Sequence, residues 1–273
     1  RQLEARGRRV GVVLRGHGGS HRGAPMVVTP ADDPRVTGDE ALVHARRGVH
    51  SVVIGTDRVA AARLAADQGA EVIISDDGLQ HLRLARDYEI AVIDGARGLG
   101  NRCLLPAGPL REPARELESV QAAIVTERSE QGHAEFSVRS PMLLRAQFEL
   151  GDAVNLLTNE RRPLAGFAQA SNLHAIAGIG HPDAFFRGLM QRGLHVATHA
   201  LPDHASLDAG SLPFPADATV LMTEKDAVKC RQIARPDWWW VDLEVSIERA
   251  EAAALLTSIL ERTGLTGAGV SLG

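Results

Sequence analysis

A pair of adjacent carboxylates stands where a buried strand is expected to end. Asp76 and Asp77 follow the apolar run Val72–Ser75, and Gln80 and His81 come soon after them. Carboxylate oxygens are the ligands that Mg²⁺ prefers, and acidic side chains at a strand end commonly hold this ion in phosphoryl-transfer sites. The pattern therefore predicts a magnesium site at Asp76 and Asp77. The alternative is an ordinary turn with a capping carboxylate.

A glycine-rich segment, residues 15–20, follows another apolar run, Val10–Leu14. Glycines let backbone N–H groups approach an anion closely, and the guanidinium of Arg15 adds positive charge. The segment is not a Walker A motif, because GxxxxGK followed by Ser or Thr does not occur in the 273 residues. It is interpreted either as an anion-binding loop or as a flexible surface loop.

Two further positions have the residue types of general acid–base chemistry. Asp39 stands at the start of an expected helix, where it is either a base facing the strand ends or a carboxylate favoured by the helix dipole. Asp203 and His204 are adjacent and form either an acid–base pair or a simple loop pair. Residues 223–226 are interpreted as a helix cap in which Thr223 and Asp226 bond reciprocally.

A proline-rich loop at residues 104–113 contains an adjacent Arg111 and Glu112. An arginine in such a rigid loop is suited to binding phosphate, whereas a surface ion pair would contribute little.

Short apolar runs alternate with amphipathic helical segments through much of the chain. The expected strands lie at 10–14, 51–54, 72–75, 90–93, 122–125, 173–177, 219–222 and 238–241, and expected helices include 40–47, 58–68 and 246–260. Continuous apolar strands alternating with helices predict an α/β fold with a doubly wound, mostly parallel sheet. We expect one α/β domain over residues 1–140, a two-stranded antiparallel linker over 141–172, and a smaller α/β domain over 173–273.

Composition excludes several classes of protein. The chain has 44% hydrophobic and 23% charged residues, which is ordinary for a globular protein. Its 30 basic and 34 acidic residues leave no basic excess, so we expect no nucleic-acid partner. The two cysteines lack the spacing of a disulfide framework or a four-thiolate zinc site. No apolar run approaches the roughly 20 residues of a membrane-spanning helix.

The ordered motifs closely resemble the tetraacyldisaccharide 4′-kinases, the lipid A kinases of Gram-negative bacteria. The resemblance runs over essentially the whole chain and rests on Arg15-Gly16-His17-Gly18, Gly38-Asp39-Glu40, residues 76–81 (DDGLQH), residues 105–113 (LPAGPLREP), Pro202-Asp203-His204 and residues 223–229 (TEKDAVK). The resemblance implies phosphorylation of the 4′-hydroxyl of a tetraacylated glucosamine disaccharide 1-phosphate, dependent on ATP and Mg²⁺. It also implies a P-loop-kinase-like fold of two α/β domains joined by a β-hairpin.

The resemblance also implies roles for individual residues. Family members carry an aromatic residue, usually Tyr, where this chain has His17. The implied catalytic residues are Asp39 and His204, the metal ligands Asp76 and Asp77, the cofactor-binding residues Arg15, Arg111 and Glu112, and the substrate-binding residues His17, Gln80, His81 and Asn101.

The family's Walker A segment and its N-terminal membrane anchor precede the point where this sequence begins. We therefore expect the chain as given to be nearly inactive alone, and the whole protein to act as a peripheral enzyme at the cytoplasmic face of the bacterial inner membrane, on a lipid A disaccharide precursor. The alternative is a degenerate, non-catalytic module that binds a nucleotide or glycolipid. A metal-dependent hydrolase is less favoured because metal-ligand spacings are missing.

Overall fold

The computed structural model describes residues 1–127, 140–202, 210 and 212–265. The chain forms two compact units, each discontinuous in sequence. The first unit comprises Leu3–Gly78 and the described residues of Leu150–Leu243, and the second comprises the described residues of Leu79–Glu149 and of 244–265. The domain ranges expected from the sequence stay a prediction.

In chain order, the strands are β1 (Val10–Leu14), β2 (Met26–Val27), β3 (Ser51–Ile54), β4 (Val72–Ser75), β5 (Ile90–Asp94), β6 (Ala122–Glu127), β7 (Leu143–Asn155), β8 (Arg161–Arg162), β9 (Leu173–Ala177), β10 (Ala197–Ala200), β11 (Thr219–Thr223) and β12 (Trp238–Ile247). The α-helices are α1 (Pro34–Thr37), α2 (Asp39–Arg46), α3 (Arg58–Asp67), α4 (Pro182–Gln191), α5 (Glu224–Cys230) and α6 (Arg249–Arg262). Short 3₁₀ turns lie at Glu4–Arg6, Ala114–Glu118, Leu164–Phe167 and Arg231–Ile233.

In the first unit, β1 to β4 form a sheet in the order β2-β3-β1-β4. Strand β1 pairs in parallel with β3 and β4, and only the short β2 is antiparallel. Every residue of β1 and β3 is buried, as expected for central strands of a parallel sheet covered on both faces. Small residues of α3, Ala61 and Ala65, pack against Val13 and Val53 and cover one face.

Four further strands of the first unit are arranged as β10-β9-β11-β12, and neighbouring strands in this group are parallel. Helix α5 starts at the end of β11, where the Thr223 hydroxyl accepts a hydrogen bond of 3.2 Å from the Asp226 backbone N–H. The same hydroxyl donates to the Asp226 carboxylate at 2.6 Å, which confirms the predicted reciprocal cap. The cap fixes the direction in which α5 leaves the sheet.

The second unit contains the parallel series β5-β6-β7. Its helix α6 is joined to the segment before β5 by hydrogen bonds from Tyr88 to Ser258 at 3.1 Å and from Arg262 to the Asp87 carbonyl at 2.9 Å. Strand β7 continues into the first unit, where it pairs antiparallel with β8 and confirms the predicted hairpin.

The helix expected at residues 246–260 is displaced toward the C-terminus. Strand β12 continues to Ile247, and the Glu248 carboxylate caps α6 by accepting 3.0 Å hydrogen bonds from the N–H groups of Ala250 and Glu251. The helix therefore begins at Arg249. The parallel pairings and covering helices confirm the predicted α/β fold. Among the described helices, none combines the length and the apolar character needed to cross a bilayer.

The two cysteines lie in opposite environments, and this leads to a prediction. Cys103 is exposed, whereas Cys230 is buried at the end of α5 and burial raises the pKa of its thiol to about 12. At about pH 8 an exposed thiol reacts with a disulfide reagent, but a buried neutral thiol does not. We expect one thiol to react in the native protein and two after denaturation, measured by release of a chromophoric thiol. The Cys103→Ser variant should then show no fast-reacting thiol, and rapid labelling of that variant would contradict the burial of Cys230.

Candidate functional site

The predicted site residues are distributed over both units. Arg15, His17, Asp39, Asp76 and Asp77 belong to the first unit, and Gln80, His81, Asn101, Arg111 and Glu112 belong to the second. His204, with its neighbour Asp203, lies outside the described residues.

The acidic pair stands at the carboxyl edge of the first sheet. The backbone N–H of Asp76 donates to the Val13 carbonyl at 3.0 Å and so continues the pairing of β4 with β1. Asp77 then adopts a left-handed conformation with φ of 49°, which turns the chain away from the sheet. Gly78 is required next, because a Cβ there would lie 2.6 Å from the Ser75 hydroxyl. The turn leaves Asp76 and Asp77 exposed at the sheet edge.

The pair fits a magnesium ion. Carboxylate oxygens are hard ligands, and Mg²⁺ is usually held by one or two protein carboxylates together with water and substrate phosphates. In the part of the chain that the structure describes, no group of three or more His, Cys, Asp or Glu side chains forms a metal centre by itself. The acidic pair is thus suited to a metal that arrives with a phosphorylated ligand.

A buried guanidinium lies near the same edge. Arg58, the first residue of α3, is only 4% exposed and donates through Nη1 to the Gly55 carbonyl. Burial lowers the pKa of Arg58 and the positive charge of Arg15 lowers it further, while Asp76 and Asp77 act in the opposite direction. An arginine keeps its proton at neutral pH even in such surroundings. The sheet edge therefore presents two carboxylates and two guanidinium groups, and the charges of Arg15, Asp76 and Asp77 all act on Arg58.

Sequence reasoning missed Arg58. A signal was available, because a cation is disfavoured at the positive end of a helix dipole, and Arg58 stands in the first turn of α3, directly after a buried parallel strand. Such a placement indicates a charge that is held for an anion.

Asp39 is the first residue of α2 and is 3% exposed. Its Oδ1 accepts a hydrogen bond of 2.9 Å from the Glu40 backbone N–H. The residue before it, Gly38, has a φ of 85°, and a Cβ there would lie 2.4 Å from the His17 carbonyl oxygen. Only glycine fits at this point, so the position of Asp39 depends on a close approach between Gly38 and the glycine-rich loop.

The glycine-rich loop is packed rather than flexible. A Cβ on Gly19 would lie 2.4 Å from the Val36 carbonyl oxygen and 2.6 Å from the Gly38 nitrogen. The backbone N–H of Ser20 donates to the Arg35 carbonyl at 2.8 Å. The backbone of the glycine-rich loop therefore lies directly against the backbone of residues 35–38, and the loop supports the start of α2.

Ion pairs attach α2 to the neighbouring helix within the first unit. Lys225 Nζ lies 3.1 Å from Glu40 Oε1, and Arg47 forms a bidentate pair with Glu224. Arg47 also contacts the buried Asp242 at 3.1 Å, and the hydrogen bonds that Arg47 donates to Glu224 raise the pKa of Arg47. Both ends of α2 are thus connected to α5 or to β12, which fixes Asp39 along the helix axis.

His44 is a second residue that sequence reasoning did not single out. It lies on α2, and burial lowers the pKa of its imidazole, against the opposing effect of Asp76. A lowered pKa keeps His44 neutral at physiological pH.

A cleft of about 390 Å³ opens beside Asp39 within the first unit. Its walls come from the segment at α1, from α2, and from the end of α5 with the 3₁₀ turn that follows it. Asp39 therefore faces a space that a polar ligand can enter, even though little of its own surface is exposed.

The second unit brings three predicted residues together. Arg111 donates to the Gln80 side-chain oxygen at 3.4 Å, and the Gln80 amide donates to Glu112 at 3.4 Å. These are long, exposed hydrogen bonds that a ligand can replace. Next to this group, the backbone carbonyl of His81 accepts a hydrogen bond from the Leu84 N–H at 3.0 Å.

Asn101 has an evident structural role. Its amide donates to the Ala107 carbonyl at 2.9 Å and accepts from the Cys103 N–H at 3.1 Å. A Cβ on Gly108 would lie 2.1 Å from the Asn101 side-chain oxygen, so the loop closes tightly around this amide. Substrate binding by Asn101 stays a prediction.

Comparisons with known proteins agree on one family. The model of the family described as tetraacyldisaccharide-1-P 4′-kinase, LpxK, matches residues 1–261. The tetraacyldisaccharide 4′-kinase of Pseudomonas aeruginosa is 44% identical over 242 residues, which cover 88% of this chain and 70% of that protein. The tetraacyldisaccharide 4′-kinase of Alkalilimnicola ehrlichii is 43% identical over 265 residues, which cover 97% of this chain and 77% of that protein.

A solved structure has the same fold. The crystal structure of LpxK from Aquifex aeolicus, described as an apo form in complex with ATP, superposes with a TM-score of 0.76 at 26% sequence identity. The superposition covers 94% of this chain and 80% of that one.

The packed loop generates a prediction about stability. Replacing Gly19 by Ala forces a methyl group against the Val36 carbonyl and the Gly38 nitrogen, so we expect the free energy of unfolding to fall by about 1–3 kcal/mol. The measurement is chemical denaturation followed by circular dichroism. Gly23→Ala, three residues after this loop, is the matched control, because its added Cβ meets only the His21 ring, at 3.4 Å. Equal stability of the two variants would mean that the loop does not pack on the start of α2.

Proposed function

The chain belongs to the tetraacyldisaccharide-1-P 4′-kinase family, and from this premise we propose that it transfers the γ-phosphoryl group of ATP to the 4′-hydroxyl of a tetraacylated glucosamine disaccharide 1-phosphate, a step of lipid A biosynthesis. The observation that carries the proposal for this site is the grouping of Asp76, Asp77, Arg15 and Arg58 at one sheet edge. Binding of ATP is further supported by the ATP complex of the Aquifex aeolicus structure.

Phosphoryl transfer depends mainly on positioning and on stabilisation of charge. Asp76 and Asp77 would hold Mg²⁺, which when bound neutralises charge on the β- and γ-phosphates. Arg58 contributes a fixed positive charge because its guanidinium is buried and held by the Gly55 carbonyl. Arg15, which is exposed, can move toward a phosphate. Arg111 and Glu112 would contact the nucleotide.

Asp39 would accept the proton of the 4′-hydroxyl. A sugar hydroxyl is a poor nucleophile, so a carboxylate within hydrogen-bond reach assists its attack on phosphorus. The Glu40 N–H holds Oδ1 of Asp39, and the Gly38 turn fixes the backbone of this residue. His204 would orient the carboxylate and adjust its basicity. His17, Gln80, His81 and Asn101 would line the path of the acceptor.

The proposed acceptor is a lipid, so the enzyme has to work at a membrane surface. We infer a peripheral association with the cytoplasmic face of the bacterial inner membrane, where ATP is available.

The magnesium assignment generates a prediction. Asp76→Asn and Asp77→Asn each remove a negative oxygen ligand, so we expect kcat to fall by about 10- to 100-fold and the Mg²⁺ concentration for half-maximal rate to rise. The measurement is 4′-phosphorylation in the full-length protein over a Mg²⁺ titration. Asp67→Asn, an exposed carboxylate at the end of α3, is the control and should change neither value. The assignment fails if both variants keep the wild-type rate at limiting Mg²⁺.

Asp39 and His204 should act as one catalytic unit. Asp39→Asn is expected to lower kcat by about 10²- to 10⁴-fold, as for loss of a general base. Groups that act together lose activity non-additively, so the double variant with His204→Ala should be about as slow as the worse single variant. His204→Ala alone should also move the acidic limb of the pH–rate profile.

The measurement is a double-mutant cycle on kcat, with His195→Ala, an exposed histidine of the first unit, as the control. Fully additive losses and an unmoved acidic limb would leave His204 without a part in catalysis.

A further inference from the structure

Three arginines that the predicted site does not use line the cleft beside Asp39, and one of them, Arg35, is paired with Asp33. The other two are Arg46, the last residue of α2, and Arg231, the first residue after α5. Arg46 is seven residues after Asp39, so the two side chains lie on the same face of α2. Their separation along the helix axis is about 10.5 Å, comparable to the length of two linked sugar rings. The cleft therefore has a carboxylate at one end of α2 and a guanidinium group at the other.

Two backbone carbonyl groups hold the guanidinium group of Arg46 at the wall of the cleft. Its Nε donates to the Pro30 carbonyl at 3.3 Å and its Nη1 donates to the Val228 carbonyl at 3.4 Å. Both hydrogen bonds are long, and they use two of the five N–H donors of a guanidinium. The carbonyl groups fix the plane of Arg46 without neutralising its charge.

No carboxylate neutralises these two arginines within the described ranges. Burial lowers the pKa of Arg46, and the charge of Arg231 lowers it further, which places the two cations close to each other. Besides Asp39, the acids on the cleft wall are engaged in local hydrogen bonds or ion pairs. Asp32 accepts from the Thr29 N–H at 2.6 Å, and Asp33 is paired with Arg35 at 2.7 Å. Two neighbouring like charges, of which Arg46 is partly desolvated, are unfavourable unless an anion binds between them.

We propose that Arg46 and Arg231 form the binding site for the 1-phosphate of the glycolipid acceptor. This inference rests on the proposed function, because it places the 4′-hydroxyl at Asp39 and the phosphate at the opposite end of the disaccharide. Nucleotide phosphates are assigned elsewhere, since Asp76, Asp77 and Arg58 do not line this cleft. Free phosphate and the phosphate of ATP share the chemistry of the site, so the test separates these sources.

The test is binding to the full-length protein in detergent micelles, measured by titration calorimetry. The ligands are the tetraacyl disaccharide 1-phosphate, the same disaccharide without its 1-phosphate, ATP and inorganic phosphate. Arg46→Gln removes a charge-assisted hydrogen bond, so the affinity for the 1-phosphate ligand should fall by about 10- to 100-fold. Affinity for the dephosphorylated disaccharide and for ATP should not change. Arg231→Gln should act in the same direction.

Two further variants separate a local effect from misfolding. Arg46→Lys keeps the charge and should recover part of the affinity for the 1-phosphate ligand. Arg63→Gln, an exposed arginine on α3, should bind every ligand as the wild type does. Equal losses for both disaccharides would overturn the proposal, as would a loss confined to ATP or to inorganic phosphate.

Turnover then distinguishes this inference from the proposed function. If the 1-phosphate ligand binds with the expected selectivity but no 4′-phosphate is formed, the kinase proposal fails and the phosphate site stands. If the wild type and Arg46→Gln phosphorylate the two disaccharides with the same ratio of kcat/KM, the phosphate site fails and the kinase stands.

Discussion

The contact of backbone on backbone between the glycine-rich loop and the start of α2 determines the rest of the candidate site. Gly19 and Gly38 approach the opposing chain so closely that a single added carbon would overlap with it. Interiors are packed too densely to absorb such an overlap without moving the backbone. The loop after β1 therefore places Asp39, and with it the helix that reaches the far end of the cleft. The position of the proposed catalytic carboxylate therefore depends on two residues that have no side chain, Gly19 and Gly38.

Helix α2 uses its faces for different purposes. Asp39 and Arg46 share the face toward the cleft, whereas Glu40 and Arg47 make the ion pairs with α5. The α5 side offers Lys225 and Glu224 in the complementary order, so a shift along the axis or a rotation of α2 would break both pairs. Partly buried pairs of this kind fix geometry more than they add stability. The spacing between Asp39, the proposed proton acceptor, and Arg46, the proposed phosphate ligand, is thereby set by one helix.

Much of the fold could be predicted because buried parallel strands are recognisable in the sequence as continuous apolar runs, as in Val10–Leu14 and Ser51–Ile54. The start of α6 was misplaced because β12 loses its apolar pattern before it ends, at Ile247. Asp76 and Asp77 were found because a carboxylate pair after a strand is a local pattern. Arg58 and Arg46 were missed because an arginine on a helix is ordinary in sequence, and only the tertiary fold shows that its charge is desolvated.

Charge balance argues that these arginines are there for anions. The whole chain has 34 acidic against 30 basic residues, so acids were available to pair with every buried cation. Yet Arg58 and Arg46 are held by backbone carbonyl groups, and neither forms an ion pair with a carboxylate in the described ranges. A cation that stays unpaired in an acidic protein keeps its full field for a ligand. Two such positions, one at the sheet edge and one in the cleft, match a reaction in which both the donor and the acceptor already carry phosphate.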